Sequence, residues 1–171
     1  MKLLLLFVCF ISIQICKSQT NYPTPDKKGN HLFYIQHSDN HNTFMYDAVM
    51  DGKNISEKNP INIYRILYNE NAEVKPLTMI QNSMAYGINF KKIDDNFFEF
   101  SLKGQKTLKL YLAFNNQQKP AVFLTVNGNK IYLEKMFIQL KNSGLKPSAD
   151  YILLTGKDFE TGKNVSEKVK I

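Results

Sequence analysis

The chain of 171 residues is long enough for one domain with a sizeable core, and its hydrophobic content of 43% is ordinary for a globular protein and argues against a disordered chain. Its formal net charge is +7 at pH 7. Arg65 is the only arginine, whereas base-edge readout and bidentate phosphate contacts favour arginine. The composition therefore argues against a nucleic-acid-binding protein, and the scattered lysines are expected to keep the surface soluble.

The first 18 residues have the pattern of a secretory signal peptide. Lys2 supplies a charged start, residues 3–13 form an apolar run, and Cys16 and Ser18 are the small residues at positions −3 and −1 before Gln19. The apolar run is about half as long as a membrane-spanning helix. We therefore expect cleavage between Ser18 and Gln19, with an uncleaved anchor as the alternative. The predicted product is secreted or periplasmic and has no transmembrane segment after cleavage.

Cleavage would also remove both cysteines of the chain, Cys9 and Cys16. The mature protein would then have no thiol nucleophile, thiolate ligand or disulfide. Small exported domains that lack disulfides must be stabilised by their hydrophobic core. Loss of Lys2 and Lys17 would leave 20 basic against 15 acidic residues, a net charge of about +5.

Residues 19–30 are predicted to be an extended lead-in because they contain Pro23, Pro25 and Gly29. Residues 31–171 are predicted to form a single β-domain. In the first strand, residues 31–37, Phe33 and Ile35 share one face while Leu32 and Tyr34 share the other, so both faces are expected to be covered. A turn at residues 38–42 leads to a second strand at 43–50, and a strand follows Pro60 at 61–68.

One short helix is predicted, from Leu77 to Tyr86. Leu77, Ile80 and Met84 are spaced as i, i+3 and i+7, and Gly87 stands where a helix would end. A helix of about ten residues is too short to be stable alone, so we expect it to pack on a sheet.

The remainder predicts a meander of strands, at about 88–93, 98–102, 108–114, 121–126, 131–140, 151–158 and 164–171. Asn127-Gly128 is the strongest hairpin pattern, because both residues accept the positive φ of a type I′ turn. The apolar positions change parity near Glu134-Lys135, which predicts a β-bulge there. The fold class expected is all-β: an antiparallel β-sandwich of about ten short strands with one short helix, or alternatively a closed or partly open β-barrel.

Several segments together resemble the family of domain of unknown function 4833, exported bacterial proteins that are frequent in Bacteroidota. They are LFYIQHSDNHNTFMYD, KNPINIYRI, the AYG of Ala85-Tyr86-Gly87, and GKDFETGKNVSEKV. The resemblance covers about residues 31–169 and lies in strands and turns. It departs from the family pattern at His37 and Arg65, where arginine and tryptophan are frequent. The resemblance implies no activity, substrate or cofactor.

The candidate catalytic and metal-binding residues are few. His31 and His37 lie about 20 Å apart on one predicted strand. His37 and His41 flank a turn with Asp39, but a zinc or copper site needs three or four ligands in fixed geometry, so solvated hairpin histidines are the favoured interpretation. Adjacent Asp94 and Asp95 fit a turn better than an acid–base pair. No hydrolase, metalloprotease or nucleotide-binding motif is present, and we predict no cofactor, no metal ligands and no catalytic residues.

Aromatic residues are plentiful, with nine tyrosines and twelve phenylalanines. They are expected mainly to fill the core or shield a sheet face. Those on predicted strands are also candidates for a sugar-binding platform or the lining of an apolar cavity: Tyr34, Tyr46, Tyr64, Tyr68, Tyr111 and Tyr132. The favoured hypothesis is a non-enzymatic exported domain of the cell envelope that binds an unknown envelope protein or small ligand. The alternatives are a β-domain that binds a sugar or an apolar molecule, and a metal-dependent enzyme centred on His37 and His41.

Overall fold

The computed structural model describes residues 22–141 and 148–171. Thirteen strands and one α-helix are found there. The strands are β1 (His31–His37), β2 (Thr43–Ala48), β3 (Met50–Asp51), β4 (Asn54–Ile55), β5 (Ile61–Leu67), β6 (Glu73–Pro76), β7 (Ile88–Asp94), β8 (Phe97–Leu102), β9 (Gln105–Phe114), β10 (Pro120–Val126), β11 (Asn129–Lys141), β12 (Ser148–Asp158) and β13 (Asn164–Lys170). The helix α1 spans Met79–Met84, and a 3-10 turn spans Tyr68–Glu70.

Eleven strands form one sheet that is curled into a half-barrel, and β3 and β4 form a separate hairpin. The all-β class with one short helix is confirmed. The curled single sheet corresponds to the partly open form of the barrel alternative. All strand pairs are antiparallel except that of β1 with β11. The strands beyond the predicted ten are the short β3, β4 and β6, each of at most four residues.

The sheet forks at β11. One edge of this strand pairs with β12 from Ile131 to Lys141. A strand has only two edges, so β10 and β1 must share the other one: β10 pairs with residues 129–132 and β1 with residues 135–138. We call β1, β2, β5 and β6 the first arm and β7 to β10 the second arm. The two arms diverge from β11 at Leu133 and Glu134.

The core lies on the concave face, between the two arms. Phe33 and Tyr46 of the first arm are fully buried and stacked, with ring centroids 4.4 Å apart. Phe33 also approaches Phe100 of the second arm, at 6.4 Å. Leu110, Leu124 and other alternating residues complete the same buried cluster. Burial of these large side chains supplies the main stabilising free energy of the fold.

The predicted β-bulge in β11 is confirmed. The register of β11 against β12 shifts between Leu133 and Lys135. The type I′ hairpin is also confirmed, because Asn127 and Gly128 have φ values of 49° and 82°.

A second bulge, in β1, was not predicted. The register of β1 against β2 shifts between His31 and Phe33. As a result Leu32 joins Phe33 in the core, and the expected placement of Leu32 on the face of Tyr34 is wrong. The expectation that β1 is covered on both faces holds, since residues 32–37 are all buried.

The predicted helix is shorter than expected and packs differently. It begins after Thr78, whose hydroxyl accepts from the Gln81 amide while the Gln81 side chain accepts from the Thr78 amide. Ile80 and Met84 are each 71% exposed, so the i, i+3, i+7 pattern does not mark a buried face. Only the flanking Leu77 and Tyr86 pack on the core. Within the described residues, no helix is long and apolar enough to cross a membrane.

The described part of the lead-in, residues 22–30, runs along the outer face of β1. The buried Gln36 side chain donates to the Pro23 carbonyl over 2.7 Å, and Pro25 is buried. Tyr22 meets Phe137 edge to face. The lead-in is therefore packed against the domain and covers the outer face of β1. The predicted cleavage site at Ser18 and Gln19 lies outside the described residues.

Candidate functional site: a cleft at the fork of the sheet

The three histidines have three different environments. His37 is buried on the concave side and bonds to the Tyr86 hydroxyl, with 2.6 Å between Nε2 and Oη. His41 is exposed and meets the Tyr22 ring edge to face. The expectation of a solvated histidine is wrong for His37, because the segment after α1 covers it.

His31 lies on the outer face, opposite to His37, because the bulge in β1 reverses its side. Its Nδ1–H donates to Asp47 over 2.9 Å, and its side chain is only 6% exposed. Nε2 of His31 is buried without a hydrogen-bond partner among the described residues. Asp47 also bonds to Tyr64, whose pKa is raised to about 12 by burial and then by this carboxylate.

No group of three or more histidine, cysteine, aspartate or glutamate side chains that fits a metal ion occurs in residues 22–141 and 148–171. Asp94 and Asp95 lie at the turn between β7 and β8, where the Asp94 carboxylate accepts from the Asp95 amide. Asp95 also pairs with Lys92, which lowers the pKa of that carboxyl. These contacts make the aspartate pair a turn element that is held by a lysine.

A concavity lies at the fork of the sheet. At Leu133 and Glu134 the shared edge of β11 passes from β10 to β1, and neither strand is paired to these two residues. Both bulges are at the same place, one in β11 and one at the start of β1. Bulges bend strands and interrupt their pairing, so the two arms separate and leave an opening between them.

This opening is a cleft of about 700 Å³, within the range typical of small-molecule sites. We call it the fork cleft. Four segments line it: residues 29–32 before and at the start of β1, residues 115–117 with 119–121 before and in β10, residues 132–134 in β11, and residues 157–162 at the end of β12 and after it.

Two walls of the fork cleft are held by their own hydrogen bonds. In the loop before β10, the Asn115 side chain accepts from the Gln117 and Lys119 amides over 2.9 Å and 3.0 Å. In the loop after β12, Asp158 accepts from both the amide and the hydroxyl of Thr161 over 2.7 Å. These bonds lower the pKa of Asp158. The walls are thereby fixed before any ligand binds, which reduces the entropic cost of binding.

A row of half-buried aromatic side chains crosses the outer face of the sheet and ends in the cleft. The outer aromatic row consists of Phe97, Tyr111, Phe123, Tyr132 and Phe159. Tyr111 stacks with Phe123 at 5.5 Å, and Tyr132 stacks with Phe159 at 4.7 Å. Tyr132 and Phe159 form the aromatic wall of the fork cleft. The ammonium of Lys130 lies 3.6 Å from the centroid of the Phe159 ring, a close cation–π contact.

The sequence identified two of these five aromatic residues as candidates, Tyr111 and Tyr132. Tyr34 and Tyr46 are buried, and Tyr64 and Tyr68 are half-buried on the first arm. The structure adds Phe97, Phe123 and Phe159. Parity could have found Phe97 and Phe123, since both are adjacent to core-facing residues and therefore point outward.

A single β-sheet that is curled into a half-barrel, with an open and partly aromatic cleft at its fork, defines an all-β domain. The family model for the domain of unknown function DUF4833 matches residues 33–168, and the chain belongs to that family. No curated protein and no solved structure matches the chain.

Proposed function

We propose that this protein is an exported, non-enzymatic binding domain of the bacterial cell envelope, and that it binds a small molecule in the fork cleft. The observation that carries the proposal is the coincidence of the strand fork, two bulges and fixed loops at one cleft of about 700 Å³. Export is supported by the signal-peptide pattern before Gln19.

The fork cleft is favoured as the binding site over the concave end of the sheet, the part of the concave face around His37, Phe44 and Tyr86, for a geometric reason. At the concave end, His37 and Phe44 are covered by the Tyr86 ring, which stacks on Phe44 at 3.6 Å. These groups already contact one another, and the His37 and Phe44 side chains are buried beneath Tyr86. At the fork cleft, by contrast, side-chain amides and carboxylates line an open space beside two aromatic rings.

A contact surface for an envelope protein is the second candidate function. The outer aromatic row favours it, because it extends across neighbouring strands as a continuous and partly apolar surface. A small ligand needs only the end of this row at Tyr132 and Phe159, whereas a protein partner would use its whole length.

A thermal-shift screen distinguishes these functions. The chain from Gln19 is heated with EDTA, divalent metals, saccharides, fatty acids and short peptides. A ligand at about 100 times its dissociation constant adds about 2.7 kcal/mol of stability, which raises Tm by several degrees in a domain of this size. We expect a rise with a small organic molecule that is lost in N116A/F159A and kept in F97A.

Two results would contradict the proposal. A response to a metal that disappears in H41A would support the metal-dependent alternative. If no compound raises Tm, the small-ligand proposal is overturned and the protein-contact function is favoured.

A further inference from the structure

We infer that the ligand of the fork cleft is a neutral oligosaccharide, an inference that rests on the proposed function. Three features of the lining select this class: the balance of its charges, the supply of hydrogen-bonding groups, and the aromatic wall.

The charges of the lining do not favour an ion of either sign. Lys119 and Lys157 stand against Glu134, Asp158 and Glu160. A site for phosphate or another anion would concentrate lysine or arginine, and a site for a cation would concentrate carboxylates. The mixed lining fits an uncharged ligand.

The lining is also too polar for a fatty acid. Pockets for apolar ligands are lined predominantly by hydrophobic side chains. Here the aliphatic contribution is limited to Leu32, Pro120, Ala121 and Leu133, and most other lining residues carry amide, carboxylate, hydroxyl or ammonium groups.

Amides and carboxylates suit the hydroxyl groups of sugars. The Asn30, Asn116 and Gln117 side chains each offer a carbonyl acceptor and an NH₂ donor, and Glu134 and Glu160 are acceptors. A hydroxyl both donates and accepts, so neighbouring sugar hydroxyls can pair with such groups. Asn115 and Asp158 hold their loops and thereby place these groups.

The aromatic wall completes the match. The C–H groups on the face of a sugar ring carry partial positive charge, and the face of an aromatic ring is negative. Tyr132 stacks on Phe159, and the Lys130 ammonium lies over the Phe159 ring, so Phe159 supports Tyr132 and the Tyr132 ring supplies the aromatic surface at the side of the cleft, next to the polar loops. A sugar ring seated there would pack against this surface and direct its hydroxyls toward Asn116 and Glu160.

The test is isothermal titration calorimetry of the chain from Gln19. The titrants are maltotriose, cellotriose, xylotriose and chitotriose, with inorganic phosphate, laurate and trialanine as competing classes. We expect at least one trisaccharide to bind. F159A and N116A should each weaken binding about tenfold, which corresponds to about 1.4 kcal/mol. F97A, at the opposite end of the same aromatic row and outside the cleft, should bind like the wild type. Thermal melts of the three variants verify that each remains folded.

The failures are distinguishable. One outcome is that laurate, phosphate or trialanine binds, that F159A weakens this binding, and that the trisaccharides do not bind. The oligosaccharide inference is then wrong, while the fork cleft stands as a binding site. If a trisaccharide binds with equal affinity to wild type, F159A and N116A, the placement in the cleft is wrong as well. If none of the four trisaccharides binds at millimolar concentration, the inference is overturned.

Discussion

Tyr86 and His37 are 49 positions apart in the chain, yet Tyr86 Oη and His37 Nε2 share a hydrogen bond of 2.6 Å. The Tyr86 carbonyl also accepts from the Tyr46 hydroxyl over 2.7 Å. Tyr86 lies two residues after the end of α1, whereas His37 and Tyr46 belong to β1 and β2. These bonds therefore fasten the connection between β6 and β7 onto the first arm, and they give the Ala85-Tyr86-Gly87 segment a structural role.

Removal of the Tyr86 hydroxyl should test this role. Y86F keeps the ring stacked on Phe44 but leaves the buried His37 nitrogen without its partner. We expect the free energy of unfolding to fall by about 1–3 kcal/mol, as measured by urea denaturation. Y111F, on the outer face, is the control and should be neutral. If Y86F is as stable as the wild type, the bond to His37 does not contribute to stability.

Burial of His37 should make stability depend on pH. Burial lowers the pKa of His37, and the charge of Asp39 opposes this effect only in part. Between the folded-state pKa and the unfolded value of about 6.5, the unfolded state binds more protons. The stability contributed by burial of neutral His37 should therefore be complete above about pH 6.5. It should be lost as the pH falls through the folded-state pKa, so the unfolding free energy decreases there.

The measurement is urea denaturation across this window for wild type, H37Q and H41Q. H37Q should flatten the dependence on pH, and H41Q, which changes an exposed side chain, should retain it. The lowered pKa values of Asp95, Glu99 and Asp158 act only below about pH 4.5 and do not interfere. An unchanged slope in H37Q would show that another group is responsible.

Gly156 should be required for the bulge that shapes the fork cleft. It pairs with Leu133, and a Cβ at this position would overlap the Tyr132 carbonyl oxygen. We expect G156A to lower the unfolding free energy by about 1–3 kcal/mol. T155A, at the next position of the same strand, should have a smaller effect. Equal thermal melts of G156A and wild type would contradict the close approach of β12 to the bulge.

The two ends of the helical segment should differ in their sensitivity to substitution. Leu77 packs on the core, whereas Ile80 is 71% exposed. L77Q should lower the unfolding free energy by about 1–3 kcal/mol through lost burial, and I80Q should be nearly neutral. Thermal denaturation of both variants measures the difference. A larger loss of unfolding free energy in I80Q than in L77Q would contradict this prediction and support the packing of the helix face that the sequence predicted.

Much of the sheet could be predicted from the sequence, because alternation and turn residues act locally. Phe98, Phe100 and Leu102 reveal their shared face by their spacing alone, and Asn127-Gly128 fixes a hairpin within four residues. The bulge near Glu134 was predicted for the same reason, since one extra residue changes the parity of neighbouring positions.

The rest depends on contacts between distant residues. The parallel pairing of Ile35 with Met136 joins positions about 100 residues apart, and nothing in either strand specifies that partner. The fork and its cleft follow from this pairing. The sequence therefore predicted the bulge in β11 but not the fork and the cleft that lie beside it. The predicted helix was too long and was given a buried face, because the apolar Ile80 and Met84 have the spacing of a buried stripe although both are exposed.

The most direct test of the binding proposal is chemical-shift mapping. ¹H–¹⁵N spectra of the chain from Gln19 are recorded with and without the compound that gives the largest thermal shift. The structure predicts that the largest changes fall in residues 29–32, 115–121, 132–134 and 157–162. Changes concentrated instead around His37, Phe44 and Tyr86 would place binding at the concave end and contradict the fork cleft as the site.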